Sequence, residues 1–566
     1  MTTAANWSCD RCQTSNPSSR VQCSQCGARR VVDFGATRAQ PPAAPRQQRG
    51  PEKQKPPLTV VPPAGPGVFY PQQPTASPPR QRPAAATSRA PAADRGVTRY
   101  LCCAMQLDAG LARRAVEDIV EEPRRAVASS PGVDLSCVLA YALAARSRQL
   151  IRDAVLAVLL FLLLIGGALT GGLLAVPVFL VAWAVVAGEL FYVNYAVIVP
   201  KLSRKAFTPG AAPIPHSAGQ ADRLTEVAQW DGGNVTVSQS FGPFTGYGRQ
   251  TAAWSYPIRA DVPKEGADAV KPFEIHALYD HIASAVENLR LPGVRVQDRL
   301  LVNGQDLLVD LDAALSKVLL PNVERAPVPR VQEKVIRDLR QDPSGRARPY
   351  LALQVSGWEG ELVTTQFLRF YLSPQRDVLF MENSVTLLAP VRAAYRSVDT
   401  LLDRPTFRQA AEIIVSTFMR TIALLFRSVP ELLGVIKHHL GSKRRRQLRE
   451  IKHRTFNYGA PLSLRQDASD YLYYRYFQKI DTEMYTKLVG RRVFDSLIDF
   501  LEQHEIDTSD LSDQKTIFAS AFSIGDNSNV SFIQSAVAVG QNAVGRVLQG
   551  PGTLSGKSAQ PSGGGQ

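Results

Sequence analysis

No Gly-x-Ser-x-Gly elbow, no His-Glu-x2-His pair and no Walker phosphate loop occurs in this chain of 566 residues. The familiar local signatures of serine hydrolases, zinc proteases and nucleotide hydrolases are therefore missing. The first residues, Met-Thr-Thr-Ala-Ala-Asn-Trp, have neither a basic start nor an apolar core, so no secretory signal peptide is expected. Acidic residues are outnumbered, 50 against 65 Lys and Arg, for a net charge of +15. That excludes no fold but favours an anionic partner. Charge is lacking altogether from Ala154 to Gly188, a run of 35 residues. Cysteine is scarce as well, at seven residues, yet four of the seven lie between positions 9 and 26.

Those four form two knuckles, Cys9-x2-Cys12 and Cys23-x2-Cys26. Each pair can turn both thiolates toward one centre, and two pairs supply the four sulfurs of a closed tetrahedral site. No ligand position is left open, so the expectation is one structural zinc ion, whose binding supplies the folding free energy of a segment too short to bury a core. Two disulfides in a secreted module are the alternative. With Trp7 and Asn16, the pattern Trp7-x-Cys9-x2-Cys12-x3-Asn16-x6-Cys23-x2-Cys26 resembles the zinc finger of the Ran-binding-protein family over residues 5–30. The resemblance implies a small zinc ribbon that binds ubiquitin, other proteins or single-stranded RNA, with Trp7, Asn16 and Arg20 as its partner-binding residues. The ubiquitin-binding branch carries Thr and an aromatic or Leu after the second cysteine, where this chain has Gln13-Thr14. The RNA-binding branch stacks a base on an aromatic after the Asn, where this chain has Pro17. A protein partner is the expectation.

The remaining chain divides by texture. Residues 1–30 are the finger. Residues 31–97 form a basic linker, with 15 of the 40 prolines between Ala36 and Gly96. It is too polar and too Pro-rich to bury a core, so it is expected to be disordered. Residues 98–150 read as a helical juxtamembrane segment, with Asp108 as an N-cap, Pro123 as a stop and a second helix from about Val133. Cys102, Cys103 and Cys137 read as small apolar packing residues, with acylation or redox chemistry as the alternative. Residues 151–199 read as a transmembrane hairpin of two spans, 151–169 and 173–198, turning at Thr170-Gly171-Gly172; one tilted span plus an interfacial piece is the alternative. Arg146, Arg148 and Arg152 precede it and Lys201, Arg204 and Lys205 follow it. The positive-inside rule then places both flanks in the cytoplasm, where reduced thiols can hold zinc. Glu189 reads as an interfacial carboxylate.

After a linker at 200–227, residues 228–392 read as an α+β domain. "NVTVSQS" and "AWSYPIRADV" are expected to pair, Asn303-Gly304 to close a tight hairpin, and Ile275, Leu278, Tyr279, Ile282, Val286 and Leu289 to share a helix face. Three antiparallel strands follow. Within this domain Asp310-x-Asp312 reads as a strand end and helix cap, with metal binding as the alternative, and Gly242-x3-Gly246-x-Gly248 as a phosphate-loop candidate interrupted by Pro243 and Phe244. Residues 405–506 read as helical. The apolar stretch 406–440, bent or interrupted at Pro430, is either buried or interfacial. The run Lys443, Arg444, Arg445, Arg446, Arg449, Lys452 and Arg454 is a candidate anionic surface for acidic lipid headgroups or, second, nucleic acid. Residues 507–566 read as a small polar segment and a disordered tail. The combined expectation is a multidomain integral membrane protein, a cytosolic adaptor using its finger to bind a protein partner. The alternatives are an enzyme with its site in 228–392, since catalytic residues need not be neighbours in sequence, and a membrane-proximal nucleic-acid binder.

Overall fold

The computed structural model describes residues 7–8, 15–16, 95–342, 345–439 and 442–511. Cys9, Cys12, Cys23, Cys26 and Arg20, nearly all of the 31–97 linker and the tail from 512 lie outside the described residues. The chain divides into two units, Met1–Arg82 and Pro83–Gln566. In the first, β1 (Trp7–Ser8) runs antiparallel to β2 (Ser15–Asn16), with Trp7 opposite Asn16.

The second unit opens with α1 (Arg95–Leu107) and α2 (Ala109–Ala115). Asp108 ends one helix and caps the next: its Oδ1 accepts the Leu111 N–H at 3.0 Å, satisfying one of the four donors left open at a helix start. Next comes α3 (Leu135–Leu169), capped by Asp134 through the Cys137 N–H. After a turn at Thr170–Leu174 the chain returns in α4 (Ala175–Tyr192), which continues through a widened turn to Leu202. Pro177 sits in the first turn of α4, where its missing N–H would have had no helical partner anyway. Helix α5 (Ala218–Asp231) leads into a six-stranded mixed sheet: β3 (Val235–Ser238), β4 (Arg249–Arg259), β5 (Val294–Asn303), β6 (Arg348–Gly357), β7 (Leu362–Leu372) and β8 (Val378–Leu388). Helix α6 (Ile275–Glu287) lies between β4 and β5. Three longer helices follow: α7 (Phe407–His439), α8 (Ser442–Lys452) and α9 (Tyr476–Gln503).

The strand order is β3-β5-β6-β7-β8-β4. The meander β6–β7–β8 is as its alternation predicts, with Phe367 opposite Ala352 and Ser384. Three expectations about the strands fail. β3 and β4 do not pair: β3 runs parallel to β5 at one edge and β4 runs antiparallel to β8 at the other. Asn303-Gly304 does not close a hairpin, because the next residues, Asp306–Val309, are helical. A side chain at Gly304 would meet the Gly459 nitrogen at 2.0 Å, so this glycine admits a distant backbone instead. Asp312 does cap the helix Ala313–Leu319, while Asp310 ends a helical turn rather than a strand and pairs with Arg346.

Two layers of core follow. One sheet face is covered by α6 and α9, with Leu278, Ile282, Leu353, Phe370, Met381, Phe494 and Leu497 buried together. The other core gathers residues from distant parts of the chain: Leu101, Leu111 and Leu139 from before the hairpin, Leu202, Val227, Val302 and Val391 from after it, and Phe456, Tyr458 and Leu464 from after α7. Cys102, Cys103 and Cys137 are buried there as free thiols. Burial pushes the Cys103 thiol up to about 12, which keeps it protonated and inert.

Candidate membrane-anchoring site

Helix α3 changes character along its length. From Leu135 to Ala145 nearly every side chain is buried in the core. Beyond Asp153 the same helix shows Val158, Phe161, Leu164 and Leu169 on its surface; the turn shows Leu173, and α4 shows Val176 and Val181. In water that surface would forfeit about 25 cal/mol for each Å² left unburied. Three described helices are long and apolar enough to cross a membrane: Leu135–Leu169, Ala175–Leu202 and Phe407–Lys437.

A polar collar bounds the apolar part of the hairpin. Arg152 reaches Glu189 at 2.8 Å and Asp153 at 2.6 Å, and Arg148 approaches Glu189 at 3.6 Å. Glu189 is thus a paired carboxylate tying α4 to α3. From Arg152 to the turn at Thr170 the helical rise is about 27 Å, close to the hydrocarbon thickness of about 30 Å. The turn uses its residues as predicted. The Thr170 hydroxyl donates to the Gly166 carbonyl at 2.6 Å and accepts the Leu174 N–H at 3.3 Å. Gly171 and Gly172 adopt φ of 62° and 96°, a region costly for residues with a Cβ.

Helix α7 packs across this hairpin and is continuous through Pro430, so of the expected bend or interruption the interruption is absent. Trp183 donates from Nε1 to the Ile414 carbonyl at 3.1 Å. Phe418 meets Phe179 and Trp183 edge-on, and Leu425 joins Leu156, Leu160, Ala182 and Val186 in a small buried cluster. At the far end Glu431 binds Arg113 and Arg427 at 3.0 Å and Arg146 at 3.6 Å. Of the stripe Arg420, Arg427, Glu431 and His438, the His438 side chain lies outside the described residues.

The basic run forms α8 and the turn after it. Lys443 is not a free surface charge: it pairs with Glu122 at 3.2 Å and donates to the Glu117 carbonyl. Arg446 pairs with Glu450. Arg444, Arg445, Arg449, Lys452 and Arg454 are exposed. At the collar a cavity of about 750 Å³ is lined by Arg148, Arg152, Glu189, Lys201 and His216 on its polar side and Ile151, Val155 and Val185 on its apolar side. Sequence reasoning missed this cavity because its residues come from α1, both hairpin helices and the chain beyond them.

The glycine loop does not make a phosphate cradle. Gly246 and Gly248 have φ of 94° and 88°, and side chains there would strike the Ser129 and Leu387 carbonyl oxygens. The adjoining cavity, about 610 Å³, carries Asp467 and neither Lys nor Arg in its lining. Among the described residues no cluster of three His, Cys, Asp or Glu side chains is placed to hold a metal. A different surface stands out on α9. Tyr476, Phe477, Ile480, Met484 and Leu488 are exposed along one side, beside exposed Tyr471 and Leu472.

Residues 253–533 match the family model described as the AbeC-like domain, a stretch that begins in β4 and runs through α7 to beyond α9. No curated protein matches the chain, and no solved structure matches it.

Proposed function

We propose that this protein is a membrane-anchored cytosolic adaptor. The observation that carries the reading is the continuity of α3, buried in the folded body over its first three turns and bare apolar surface over its last four. Body and anchor are one stiff piece, so whatever binds the body is held at the bilayer. Arg146, Arg148 and Arg152 on one flank and Lys201, Arg204 and Lys205 on the other support a cytoplasmic body by the positive-inside rule. In this reading Cys9, Cys12, Cys23 and Cys26 hold one structural zinc ion, and the ribbon so formed, with Trp7, Asn16 and Arg20, recruits a protein partner on its long tether. The pairing of Trp7 with Asn16 supports a hairpin around the first knuckle. The exposed stripe Phe477, Ile480, Met484 and Leu488 offers a second protein-binding surface. The exposed arginines of α8 and the cavity at the collar suit acidic headgroups, the closest anions to a tethered body.

The test is affinity capture from membranes with the parent protein, with Cys9, Cys12, Cys23 and Cys26 all changed to Ser, and with Phe477→Asp plus Met484→Asp. The parent should carry one zinc ion per chain and the four-Ser protein none. Loss of a captured partner in either variant supports the adaptor. Capture unchanged in both, with zinc lost as expected, refutes it.

A further inference from the structure

From the wiring of the core we infer that α7 does not cross the membrane, despite its length and apolarity, but lies in the plane of the bilayer surface as a third lipid-binding element. The inference rests on the anchoring reading above.

The chain on the two sides of α7 is directly bonded. Arg392, before it, donates its N–H to the Ala468 carbonyl at 3.0 Å, and Ala126 donates to the Tyr458 carbonyl at 2.8 Å. Phe456, Tyr458 and Leu464 share a core with Leu101 and Leu139, which precede the hairpin. The hairpin crosses twice and returns the chain to its starting side. One further crossing at α7 would leave residues 456–468 about 30 Å of hydrocarbon away from groups they touch. An odd number of crossings is therefore incompatible with the fold.

The position of α7 agrees. A helix of 33 residues is about 50 Å long, so a spanning orientation would set its ends far apart in depth. Instead both ends meet residues on the body side of the collar. Gln409 accepts from the Tyr195 hydroxyl at 3.4 Å, and Glu431 binds Arg113 and Arg146. Only the middle, through Ile414, Phe418 and Leu425, touches hairpin residues one to three turns beyond the collar, on its lipid side. Counted along the helices from Arg152 and Glu189 those contacts lie about 5–15 Å in, a range that includes the depth of about 5–10 Å at which amphipathic helices settle.

Its surface divides into three arcs at about 100° per residue. Ile413, Thr417, Thr421, Leu425 and Ser428 are buried, Thr417 and Leu425 against the hairpin. Val415, Met419, Ile422, Phe426 and Leu433 form an exposed apolar arc. Glu412, Ser416, Ala423 and Arg427 form an exposed arc that is polar or small. A spanning helix beside a hairpin would carry that arc through hydrocarbon, with the Glu412 carboxylate in it and Arg427 held by Glu431 at 3.0 Å. An in-plane helix turns it to water, with the apolar arc toward the acyl chains. The occupant of the apolar arc is the bilayer that already surrounds the hairpin.

The test uses the full chain reconstituted in vesicles. A spin label on an unnatural side chain, which leaves the native thiols alone, is placed singly at Glu412, Ser416, Ala423, Val415, Met419, Phe426 and, on the hairpin, Val158. An in-plane helix gives higher aqueous than lipid relaxant access at 412, 416 and 423, and the reverse at 415, 419 and 426, repeating with the helical period. Lipid access at Val158 with shielding of 416 and 423 from water overturns the proposal and makes α7 a third span. Lipid access at Val158 with 415, 419 and 426 in water overturns it as well. Val158 in water overturns the anchoring reading and this proposal with it.

Discussion

The knot at Asp399 gives the sharpest test of the way the body holds its membrane elements. Asp399 lies in the turn that leads into α7. Arg99 grips it with two bonds, at 2.7 and 3.1 Å, the Tyr100 hydroxyl donates at 2.6 Å, and Arg204 approaches at 3.3 Å. Arg99 also donates to the Leu202 carbonyl at the end of the hairpin. One carboxylate thus ties α1, the hairpin exit and the approach to α7 together. Asp399→Ala would strand the Arg99 side chain, which is 4% exposed. Breaking a fully buried pair costs about 3–5 kcal/mol. Asp399 is itself 28% exposed, so water entering the gap would lower the loss to about 2–3 kcal/mol. At about 2 °C for each kcal/mol in a body of this size, the melting temperature should fall by about 4–6 °C. The assay is tryptophan-fluorescence melting of the detergent-solubilised protein across pH. Burial by itself would raise the Asp399 carboxyl, but the bonds from Arg99 and Tyr100 and the charges of Arg99 and Arg204 outweigh it, and the net shift is downward. A depressed carboxyl contributes its stability above the unfolded value of about 3.9 and loses it as the pH falls through the folded value. The gap between parent and variant should therefore be full at neutral pH and narrow below about pH 4. An unchanged melting temperature at pH 7, or a gap that widens in acid, would refute the reasoning.

Further outcomes are expected. With the hairpin crossing twice and α7 in plane, epitope tags before Thr98 and after Gly550 should be cut equally by protease added from the cytosolic side; one protected tag rules out that arrangement. Gly248→Ala should destabilise the protein by more than the 1–3 kcal/mol or so of a left-handed backbone, because the new Cβ would also sit 2.1 Å from the Leu387 carbonyl oxygen; a melting temperature equal to the parent's would contradict this. Changing Arg444, Arg445, Arg449 and Lys452 to Gln should lengthen the energy-transfer distance between a dye on α8 and a lipid dye in acidic vesicles, at about 1 kcal/mol lost per charge, and leave it unchanged in neutral vesicles. Equal distances for parent and variant in acidic vesicles would show that α8 does not contact the headgroups.

Some of this architecture was legible in the chain because its signals are local. The charge-free run from Ala154 to Gly188 with its Thr-Gly-Gly centre marks two apolar helices and their turn, since helix length and left-handed glycines are properties of neighbouring residues. The face of α6, the β6–β7–β8 meander and the Asp108 cap were readable for the same reason: periodicity and capping act over four or five positions. The exposed arginines of α8 were visible as a run, but not the loss of Lys443 to Glu122, more than three hundred residues earlier.

Where β3 goes was not legible. Four alternating residues fit an antiparallel neighbour as well as a parallel one, and only the placement of β5 in the sheet decides between them. Asn303-Gly304 misled because a glycine that turns a hairpin and a glycine that lets another backbone pass have the same sequence. The second is recognisable only with Gly459 beside it. Helix α7 is the clearest case. Its composition alone establishes that it can leave water and equally suits a span, a buried helix or a surface helix, because hydrophobicity has no direction. Tertiary structure supplies the direction: a core that joins residues from before the hairpin to residues after α7 permits only an even number of crossings between them.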